Sequence, residues 1–466
     1  MTTMRVIESS KYNEQWFVEK ENIAMREDTH NQEMQLLMVY SDIAYQEMKG
    51  FGGSFTQASA YNYSRMNEKL QQKILESYFG KDGLNYSLCR THINSCDFSF
   101  GNFAYCEQEG DTELSSFSID CDKDYLLPFM KAAMDYKGEK ITLLASPWSP
   151  PAWMKTNNSM LQGGKLKEEY YTVWANYFVK YINAYKEQGI DIDMVTIQNE
   201  PHAVQTWESC IYDNEAEKVF IRDHLYPALQ NAGLGHVKIV IWDHNKEYAF
   251  ERARYILSDP KANEAVYGIA FHWYSGDHFE NLRLCKELFP DKELIFTEGC
   301  VEITTTATTM AAKASEGANG EIKATKAPWE FGECYAHDIM GNINNGLSHY
   351  IDWNLLLDEV GGPNHVNNFC SAPIICDTVN QELLYQPSYC FIGHLSKYVP
   401  VGSKRVAHSK YTSDLQVNTF ITPEGKTVIV VLNETDKEME LKIKDVVTNQ
   451  LADTTIGPKT ITTFIY

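Results

Sequence analysis

Two glutamates in this sequence each come directly after a short β-rich apolar run. Glu200 stands in the segment Gln-Asn-Glu-Pro, and Glu298 stands in the segment Phe-Thr-Glu-Gly. Two carboxyl groups about 5 to 5.5 Å apart can cleave a glycosidic bond with retention, one as nucleophile and the other as acid and then base. Taken alone, either glutamate would be interpreted as a charged side chain exposed to solvent. The prediction therefore depends on a fold that brings the two together.

The residues beside these glutamates fit the same chemistry. Asn199 can hydrogen-bond a sugar hydroxyl next to the acid, and Pro201 fixes the turn that follows. Gly299 lets the backbone turn tightly behind the second carboxylate. To act as the acid, Glu200 needs a raised pKa, and we expect the negative charge of Glu298 nearby to raise it.

The elements that must position these residues follow an alternating pattern. Between residues 46 and 385, short β-rich runs alternate with longer helix-like stretches, which is typical of parallel strands joined by crossover helices. This predicts an α/β fold, a (β/α)8 barrel, whose catalytic groups come from the carboxyl ends of different strands. The alternative, a doubly wound open sheet, is disfavoured because residues 50–55 lack the last glycine of its phosphate-binding turn. The eight runs lie at Phe51, Ser87–Cys89, Ile141–Ala145, Met194–Ile197, Val237–Ile241, Ile269–Phe271, Leu294–Phe296 and Tyr350–Ile351.

The two ends of the chain predict a separate β-domain. Residues 386–466 contain alternating apolar and polar segments separated by turns, which favours an all-β sandwich beside the barrel. Residues 1–45 lack helical period, and we expect them to contribute strands to that domain. Residues 304–328 have too little apolar content to order themselves. They are expected to form a surface loop or a lid near the active site.

Composition narrows the classes of partner. The chain has 466 residues and a formal net charge of -22, which disfavours nucleic acid and anionic membranes and favours a neutral partner such as a sugar. The sequence shows neither a signal peptide nor an apolar run of about 18 residues, so we expect a soluble, cytoplasmic protein. The 11 cysteines form no CxxC pair, which favours reduced thiols. No metal or other cofactor is expected.

Seven short motifs follow one another along the barrel sequence. They are Gly50–Thr56 (GFGGSFT), Ser95–Ser99 (SCDFS), Ala145–Trp153 (ASPWSPPAW), Gln198–Pro201 (QNEP), Phe271–Tyr274 (FHWY), Thr297–Cys300 (TEGC) and Asp352–Asn354 (DWN) with Gly361–Asn364 (GGPN). The residue types of these motifs and their order along the chain resemble those of glycoside hydrolase family 30. Within that family they resemble the glucosylceramidase branch with its bacterial members. The resemblance implies a barrel with a β-sandwich made from both chain ends. It also implies a retaining β-glycosidase that removes a terminal β-glucoside in sphingolipid metabolism.

The resemblance also implies a role for individual residues. Glu200 would be the acid/base and Glu298 the nucleophile of a double displacement. Arg90 would hold Glu298 ionised, or would simply form a structural ion pair. Asp243 is expected to support the pocket at its rim, and His272 could instead be a satisfied core histidine. The residues implied to bind substrate are Asp97, Trp148, Asn199, His272, Tyr274, Trp353 and Asn368.

Several functions stay open at this point. A β-xylosidase, a β-fucosidase or an endo-β-1,6-glucanase would keep the same reaction centre. A sugar-binding barrel without catalysis is disfavoured, because both carboxylates, Asn199 and Arg90 are present. A metal-dependent hydrolase is disfavoured because no His/Asp ligand spacing appears along the sequence. The aglycone, exo or endo action and the oligomeric state are not predicted, although residues 202–207 and 304–328 belong to the aglycone side.

Overall fold

A computed structural model of the protein describes residues 2–303 and 325–466. The strands of these residues form three sheets. In chain order they are β1 (Thr3–Ser10), β2 (Val18–Ala24), β3 (Arg26–Glu27), β4 (Leu36–Glu47), β5 (Gly50–Phe55), β6 (Leu88–Ile93), β7 (Thr142–Pro147), β8 (Met194–Thr196), β9 (Lys238–Asn245), β10 (Val266–His272), β11 (Glu293–Glu298), β12 (Leu347–Asn354), β13 (Leu356–Asp358), β14 (Ile374–Asp377), β15 (Glu382–Tyr385), β16 (Lys404–Lys410), β17 (Leu415–Ile421), β18 (Thr427–Asn433), β19 (Met439–Asp445), β20 (Gln450–Ile456) and β21 (Thr460–Ile465).

Most helices lie between the middle strands. The α-helices of the described residues are α1 (Gln57–Arg65), α2 (Glu68–Phe79), α3 (Leu126–Lys137), α4 (Tyr171–Glu187), α5 (Asn214–Val219), α6 (Tyr226–Asn231), α7 (Ala249–Leu257), α8 (Pro260–Ala265), α9 (Phe279–Leu288), α10 (Trp329–Asn344) and α11 (Pro387–Ser396). A π-helical segment, Phe220–Leu225, joins α5 to α6. Single 3-10 turns lie at Asp120–Asp122, Ala152–Met154, Glu168–Tyr170 and Lys246–Tyr248.

Eight parallel strands, β5 to β12, form a closed barrel in chain order, with β12 pairing back to β5. Nearly all their residues are buried, because helices cover the outer face and side chains fill the interior. The predicted (β/α)8 barrel is therefore confirmed, and each of the eight predicted runs overlaps one barrel strand. The closed barrel rules out the doubly wound open sheet.

Helix α4 shows how a crossover helix attaches to the barrel. Its aromatic residues recur at helical spacing, and Trp174, Tyr177 and Tyr181 are fully buried. Burying each such side chain contributes roughly 1.5–3 kcal/mol, which more than offsets the modest helix propensity of aromatic residues. The helix is followed by Gly189, whose φ of 81° is a conformation that glycine adopts without steric cost.

A ten-stranded sheet contains strands from both ends of the chain. Its order is β2-β1-β21-β18-β17-β16-β4-β19-β20-β3. Strands β1 and β21 are antiparallel neighbours, with Arg5 opposite Ile465. The sheet encloses an apolar core of its own that includes Leu37, Ile429 and Phe464. This sheet is the β-sandwich that the fold prediction placed beside the barrel.

The structure differs from the prediction in the segment that precedes β16. Residues 387–396, which the prediction includes in the all-β part, form helix α11, because Pro387 favours the first helical turn. Helix α11 packs against α10, and the ring nitrogens of His394 lie 2.8 Å from the hydroxyls of Ser9 and Thr463. The small sheet β13-β14-β15 was also not predicted, since strands of three or four residues carry too short a pattern.

The predicted loop or lid at residues 304–328 lies mostly outside the described residues and stays a prediction. Residues 325–328 are described and form neither helix nor strand, and the backbone N–H of Ala327 donates to Gln386 Oε1 at 2.6 Å. In the part of the chain that is described, no helix combines the length and apolar character needed to cross a membrane. All 11 cysteines are free thiols.

The close backbone packing of β5 against β6 can be tested at Gly52. A Cβ at Gly52 would lie 1.2 Å from the carbonyl oxygen of Leu88, whereas a Cβ at Gly101 would meet nothing within 4 Å. Backbone cannot give way as a side chain can, so Gly52→Ala should destabilise the barrel by at least ~1–3 kcal/mol. Thermal unfolding followed by circular dichroism should show a clear drop in Tm for Gly52→Ala and none for Gly101→Ala. Equal midpoints would contradict this account.

Candidate active site

Glu200 and Glu298 meet at the carboxyl-terminal mouth of the barrel. Glu200 follows β8 and Glu298 ends β11. One carboxylate oxygen of Glu200 and one of Glu298 lie within 4.8 Å of each other. So close an approach of two oxygens is compatible with the roughly 5–5.5 Å between the carboxyl groups of retaining glycosidases. The barrel thus joins the two carboxylates in one site.

A cavity of about 160 Å³ surrounds the two carboxylates. Most of the residues predicted for the site line it: Asp97, Trp148, Asn199, Glu200, Tyr274, Glu298, Trp353 and Asn368. Arg90, Asp243 and His272 are fully buried and lie behind its wall, bonded to the lining residues. The fold brings all the predicted site residues together, but it leaves His272 no exposed surface for contact with a substrate.

Arg90 is the cation beneath the cavity. Its Nη1 donates to Glu298 Oε2 at 2.6 Å, and its Nη2 donates to Asn199 Oδ1 at 2.8 Å and to Asp243 Oδ2 at 2.9 Å. Its guanidinium carbon lies 4.7 Å from the ring centroid of Trp148. Burial lowers the pKa of Arg90, but the charges of Asp243 and Glu298 raise it above its ordinary value. Arg90 therefore stays charged and orients Glu298.

Asp243 is surrounded by hydrogen-bond donors. Its Oδ1 accepts from Thr297 Oγ1 at 2.6 Å and lies 3.0 Å from His272 Nε2. Its Oδ2 accepts from Arg90 Nη2 at 2.9 Å and from Thr196 Oγ1 at 2.6 Å. Burial raises the pKa of Asp243, but the charge of Arg90 and the bonds from His272 and Thr196 bring it well below its usual range. Asp243 is therefore an ionised carboxylate.

The backbone is strained at Glu200, in the loop after β8, and at two residues within β9. Glu200, Trp242 and Asp243 have φ values of 48°, 76° and 58°, in the left-handed region that few non-glycine residues adopt. Each such residue costs on the order of 1–3 kcal/mol and persists only where its surroundings hold it. The N–H of Glu200 donates to the carbonyl oxygen of Asp243, and the N–H of Trp242 donates to Glu217 Oε1, both at 2.9 Å. The first bond ties the loop of Glu200 to β9, and the second anchors β9 to helix α5.

Glu298 is held by a second donor as well. Tyr274 Oη donates to Glu298 Oε1 at 3.0 Å, so each oxygen of the carboxylate accepts one bond. Burial, with the charge of Glu200, raises the pKa of Glu298 above its ordinary value, although the positive charges of His272 and Arg90 oppose the rise. Two donors and two nearby cations favour the ionised form, which is the form that attacks as a nucleophile.

His272 connects Glu200 to Asp243. Its Nδ1 lies 3.2 Å from Glu200 Oε1, and its Nε2 lies 3.0 Å from Asp243 Oδ1. Burial lowers the pKa of His272, but the charge of Glu298 and the bonds with Asp243 and Glu200 raise it to about 9. Burial raises the pKa of Glu200, but the hydrogen bond from His272 brings it to about 2. The expected rise in the pKa of Glu200 is therefore wrong for this arrangement, because His272 holds the proton.

Two tryptophans and an acidic side chain in the cavity wall suit a sugar ring. The rings of Trp148 and Trp353 stack with centroids 5.3 Å apart and planes 22° apart. Asp97 Oδ2 accepts from Asn368 Nδ2 at 3.3 Å, whereas Asp97 Oδ1 is buried and has no protein partner among the described residues. Burial, with the charge of Glu298, raises the pKa of Asp97 well above its usual range. A buried acceptor without a donor is costly, so Asp97 is suited to accept from a ligand hydroxyl.

Sequence reasoning missed the hydroxyls that support this site. Ser146 accepts from Arg90 Nε at 3.1 Å, and Thr196 and Thr297 donate to Asp243. Polar residues inside apolar strand runs were the signal that could have revealed them. The further lining residues are Gln205, Trp207, His244, Asn245, Cys300, Glu302 and Cys370. Of these, only Gln205 and Trp207, in the segment 202–207, were assigned to the aglycone side beforehand.

Among the residues that the structure describes, one group of side chains could hold a metal ion. Potential ligand atoms of Glu200, His272 and Glu298 lie within 4.8 Å of one another, although the three come from different strands and show no ligand spacing in the sequence. Both ring nitrogens of His272 already face carboxylates, and its pKa of about 9 leaves the ring protonated at neutral pH. An imidazolium offers no lone pair, so this group suits a metal ion poorly.

The sequence matches two family models. Residues 48–399 match the glycosyl hydrolase family 30 TIM-barrel domain, and residues 402–464 match the glycosyl hydrolase family 30 β-sandwich domain. The chain belongs to glycosyl hydrolase family 30. It is therefore a glycoside hydrolase, and the resemblance read from the motifs is confirmed.

Relatives within family 30 cover most of this chain. The lysosomal acid glucosylceramidase of Mus musculus is 34% identical over 424 residues, which is 88% of this chain and 79% of that protein. The crystal structure of SrfJ from Salmonella typhimurium is 36% identical with a TM-score of 0.92, covering 100% of this chain and 99% of that one. A solved endo-β-1,6-glucanase is 27% identical with a TM-score of 0.84, covering 99% of each chain.

Removing the side chain of Arg90 should lower the free energy of unfolding. Arg90→Met leaves Asp243 and Glu298 buried without their cation, and removing one partner of such a group costs roughly 3–5 kcal/mol. Arg283→Met is the matched control, because the Arg283–Glu287 pair is more than half exposed and is worth at most about 1 kcal/mol. Urea unfolding at pH 7 should separate the two variants. A similar loss in both would show that the buried cation is dispensable.

Proposed function

We propose that this glycoside hydrolase removes a terminal β-glucosyl unit with retention, using Glu298 as nucleophile and Glu200 as acid/base. The observation that carries this proposal is the asymmetric pair of carboxylates. Glu298 is bonded to Arg90 and Tyr274, which favour an anion, whereas Glu200 is bonded to His272, which carries a proton. Two carboxyl groups with different surroundings can take different roles.

In the first step, Glu298 attacks the anomeric carbon and the bond from that carbon to the aglycone oxygen breaks. Glu200 delivers a proton to the departing oxygen, which leaves as an alcohol. The sugar is then an ester of Glu298. Arg90 and Tyr274 hold Glu298 in place for the attack, so the carboxylate does not need to reorganise.

In the second step, water replaces the aglycone. Glu200 accepts a proton from the water as its oxygen attacks the anomeric carbon, and Glu298 is released as a carboxylate. Two inversions at the same carbon give net retention. The separation of the two carboxylates supports this course, because it leaves little room for the direct water attack of an inverting enzyme.

The cavity supports recognition of a single sugar unit. Its volume of about 160 Å³ is below the roughly 300–1,000 Å³ of sites for drug-sized ligands. Asp97 and Asn368 can bind hydroxyls, and Trp148 and Trp353 can pack against the apolar face of the ring. Asn199, fixed by Arg90, is positioned beside Glu200 and suits a hydroxyl next to the bond that is cleaved.

The aglycone that we propose is a lipid, as in glucosylceramide. The support is the similarity to the mouse lysosomal acid glucosylceramidase over most of both chains. The outer lining includes Gln205 and Trp207 of the loop after Glu200, which would contact the aglycone. A role in sphingolipid metabolism, a bacterial source and a cytoplasmic location stay predictions from the sequence. The solved endo-β-1,6-glucanase favours β-1,6-glucan as the second candidate substrate.

Glutamine variants test the two roles. Glu298→Gln should reduce kcat at least about 10⁴-fold on every β-glucoside, because no nucleophile remains. Glu200→Gln should reduce kcat/KM roughly 10²- to 10⁴-fold for alkyl glucosides but far less for 2,4-dinitrophenyl β-glucoside, whose leaving group needs no acid. Glu293→Gln, at the opposite end of β11, is the control and should keep full activity. Full activity of Glu298→Gln would reject the assignment.

A substrate panel identifies the molecule that is cleaved. Initial rates would be compared for nitrophenyl β-glucoside, β-xyloside and β-fucoside, for glucosylceramide and for a β-1,6-glucan. We expect the β-glucoside and glucosylceramide to be the preferred substrates. An NMR time course with the best substrate should show the β-anomer of the sugar first. Initial release of the α-anomer, or preference for the polymer, would overturn the corresponding part of the proposal.

A further inference from the structure

We propose that the proton used in acid catalysis is stored on His272 and reaches the leaving group through Glu200, with Asp243 fixing the tautomer that makes this possible. The inference rests on the proposed function and deepens it. His272 is buried and does not touch the cavity, so it is a positioning residue that sets the protonation of the acid.

The bonds around Asp243 fix the tautomer of His272. Asp243 is an ionised carboxylate that also accepts from Arg90, Thr196 and Thr297. A carboxylate can only accept, so His272 Nε2 must donate to it. The Nδ1 atom is left to face Glu200 Oε1 at 3.2 Å. One proton can occupy that contact, either on Nδ1 or on Glu200, and the pair behaves as a single proton carrier.

The charges around His272 decide where this proton rests. The titratable groups that face the ring from the neighbouring strands are Glu200 after β8, Asp243 and His244 on β9, Glu298 at the end of β11, Arg90 on β6 and Tyr274 beyond β10. The three ionised carboxylates outweigh the single cation Arg90. His244, whose pKa burial lowers to about 4, is neutral at pH 7 and adds no charge. An imidazolium at His272 compensates the excess of negative charge.

During the first step of the reaction, this proton passes from His272 through Glu200 to the leaving group. As the aglycone oxygen leaves, it takes a proton from Glu200, while Glu200 takes the proton from His272 Nδ1. Bonding of Glu298 to the sugar removes one of the negative charges that keep His272 protonated. The intermediate therefore holds a neutral His272 and an ionised Glu200, which is the state that a general base requires. Attack of water returns a proton to the pair.

The pH profile of a His272 variant tests this inference. In the wild type, the basic limb of kcat/KM for an alkyl glucoside should fall near pH 9, because the shared proton is present below the pKa of His272 and lost above it. In His272→Asn only Glu200 can carry the proton. The limb should move down by at least about one pH unit, which corresponds to a loss of at least about five-fold at pH 9. The exposed His278→Asn is the control and should leave the limb unchanged.

The leaving group separates this role from a merely structural one. For 2,4-dinitrophenyl β-glucoside, kcat/KM does not depend on an acid, so His272→Asn should keep it within about three-fold of wild type. Equal losses for the two substrates would show that His272 only supports the fold of the site. An unmoved basic limb would show that the proton resides on Glu200 alone. Either result would overturn the inference.

Nitrogen-15 NMR gives a readout that needs no turnover. With labelled histidine, the two ring nitrogens of His272, assigned by their loss in His272→Asn, should both be protonated at pH 7.5. Glu200→Gln removes one negative charge, so the pKa of His272 should fall and Nδ1 should deprotonate at lower pH than in wild type. A neutral His272 in the wild type at pH 7.5 would overturn the inference. An enzyme inactive on all β-glucosides would instead overturn the proposed function, whatever the spectrum shows.

Discussion

The active site depends on one buried cation. Arg90 has no exposed surface, yet it contacts two carboxylates and an amide that come from three other parts of the barrel. Desolvating a guanidinium is expensive, and only several well-placed acceptors can compensate for it. The barrel supplies these acceptors because the carboxyl ends of all its strands lie at the same end of the barrel. The positions of Glu298, Asp243 and Asn199 are consequences of satisfying Arg90.

The same network explains why strained backbone persists beside it. The left-handed conformations of Glu200 and Asp243 would be unfavourable alone, but the two residues are joined by a backbone hydrogen bond and by the side chain of His272. Each member of the network restricts the others, so the cost of these conformations is distributed over several bonds. The result is a site whose two glutamates are held before any substrate arrives.

The sequence predicted the parts of this arrangement that follow from local pattern. Apolar runs predicted the barrel strands, and most of their ends were expected to carry a site residue, because β-strand period and turn chemistry act over few residues. The protonation of Glu200 was predicted wrongly, because it depends on His272, which comes from another strand. The support from Thr196 and Thr297 was missed for a similar reason, because it arises only from contacts between distant segments. The small sheet β13-β14-β15 was missed because its strands are too short to show a pattern.

The pairing of β1 with β21 bears on how the protein is made. Strand β1 is synthesised before the barrel, but its neighbour β21 is synthesised after the entire barrel. During translation one edge of β1 has no partner, and unpaired strand edges are prone to join other chains. The ten-stranded sheet therefore cannot close on that side until β21 has been made, whereas the barrel strands can assemble as they emerge. The open edge of β1 is thus exposed to other chains throughout the synthesis of the barrel.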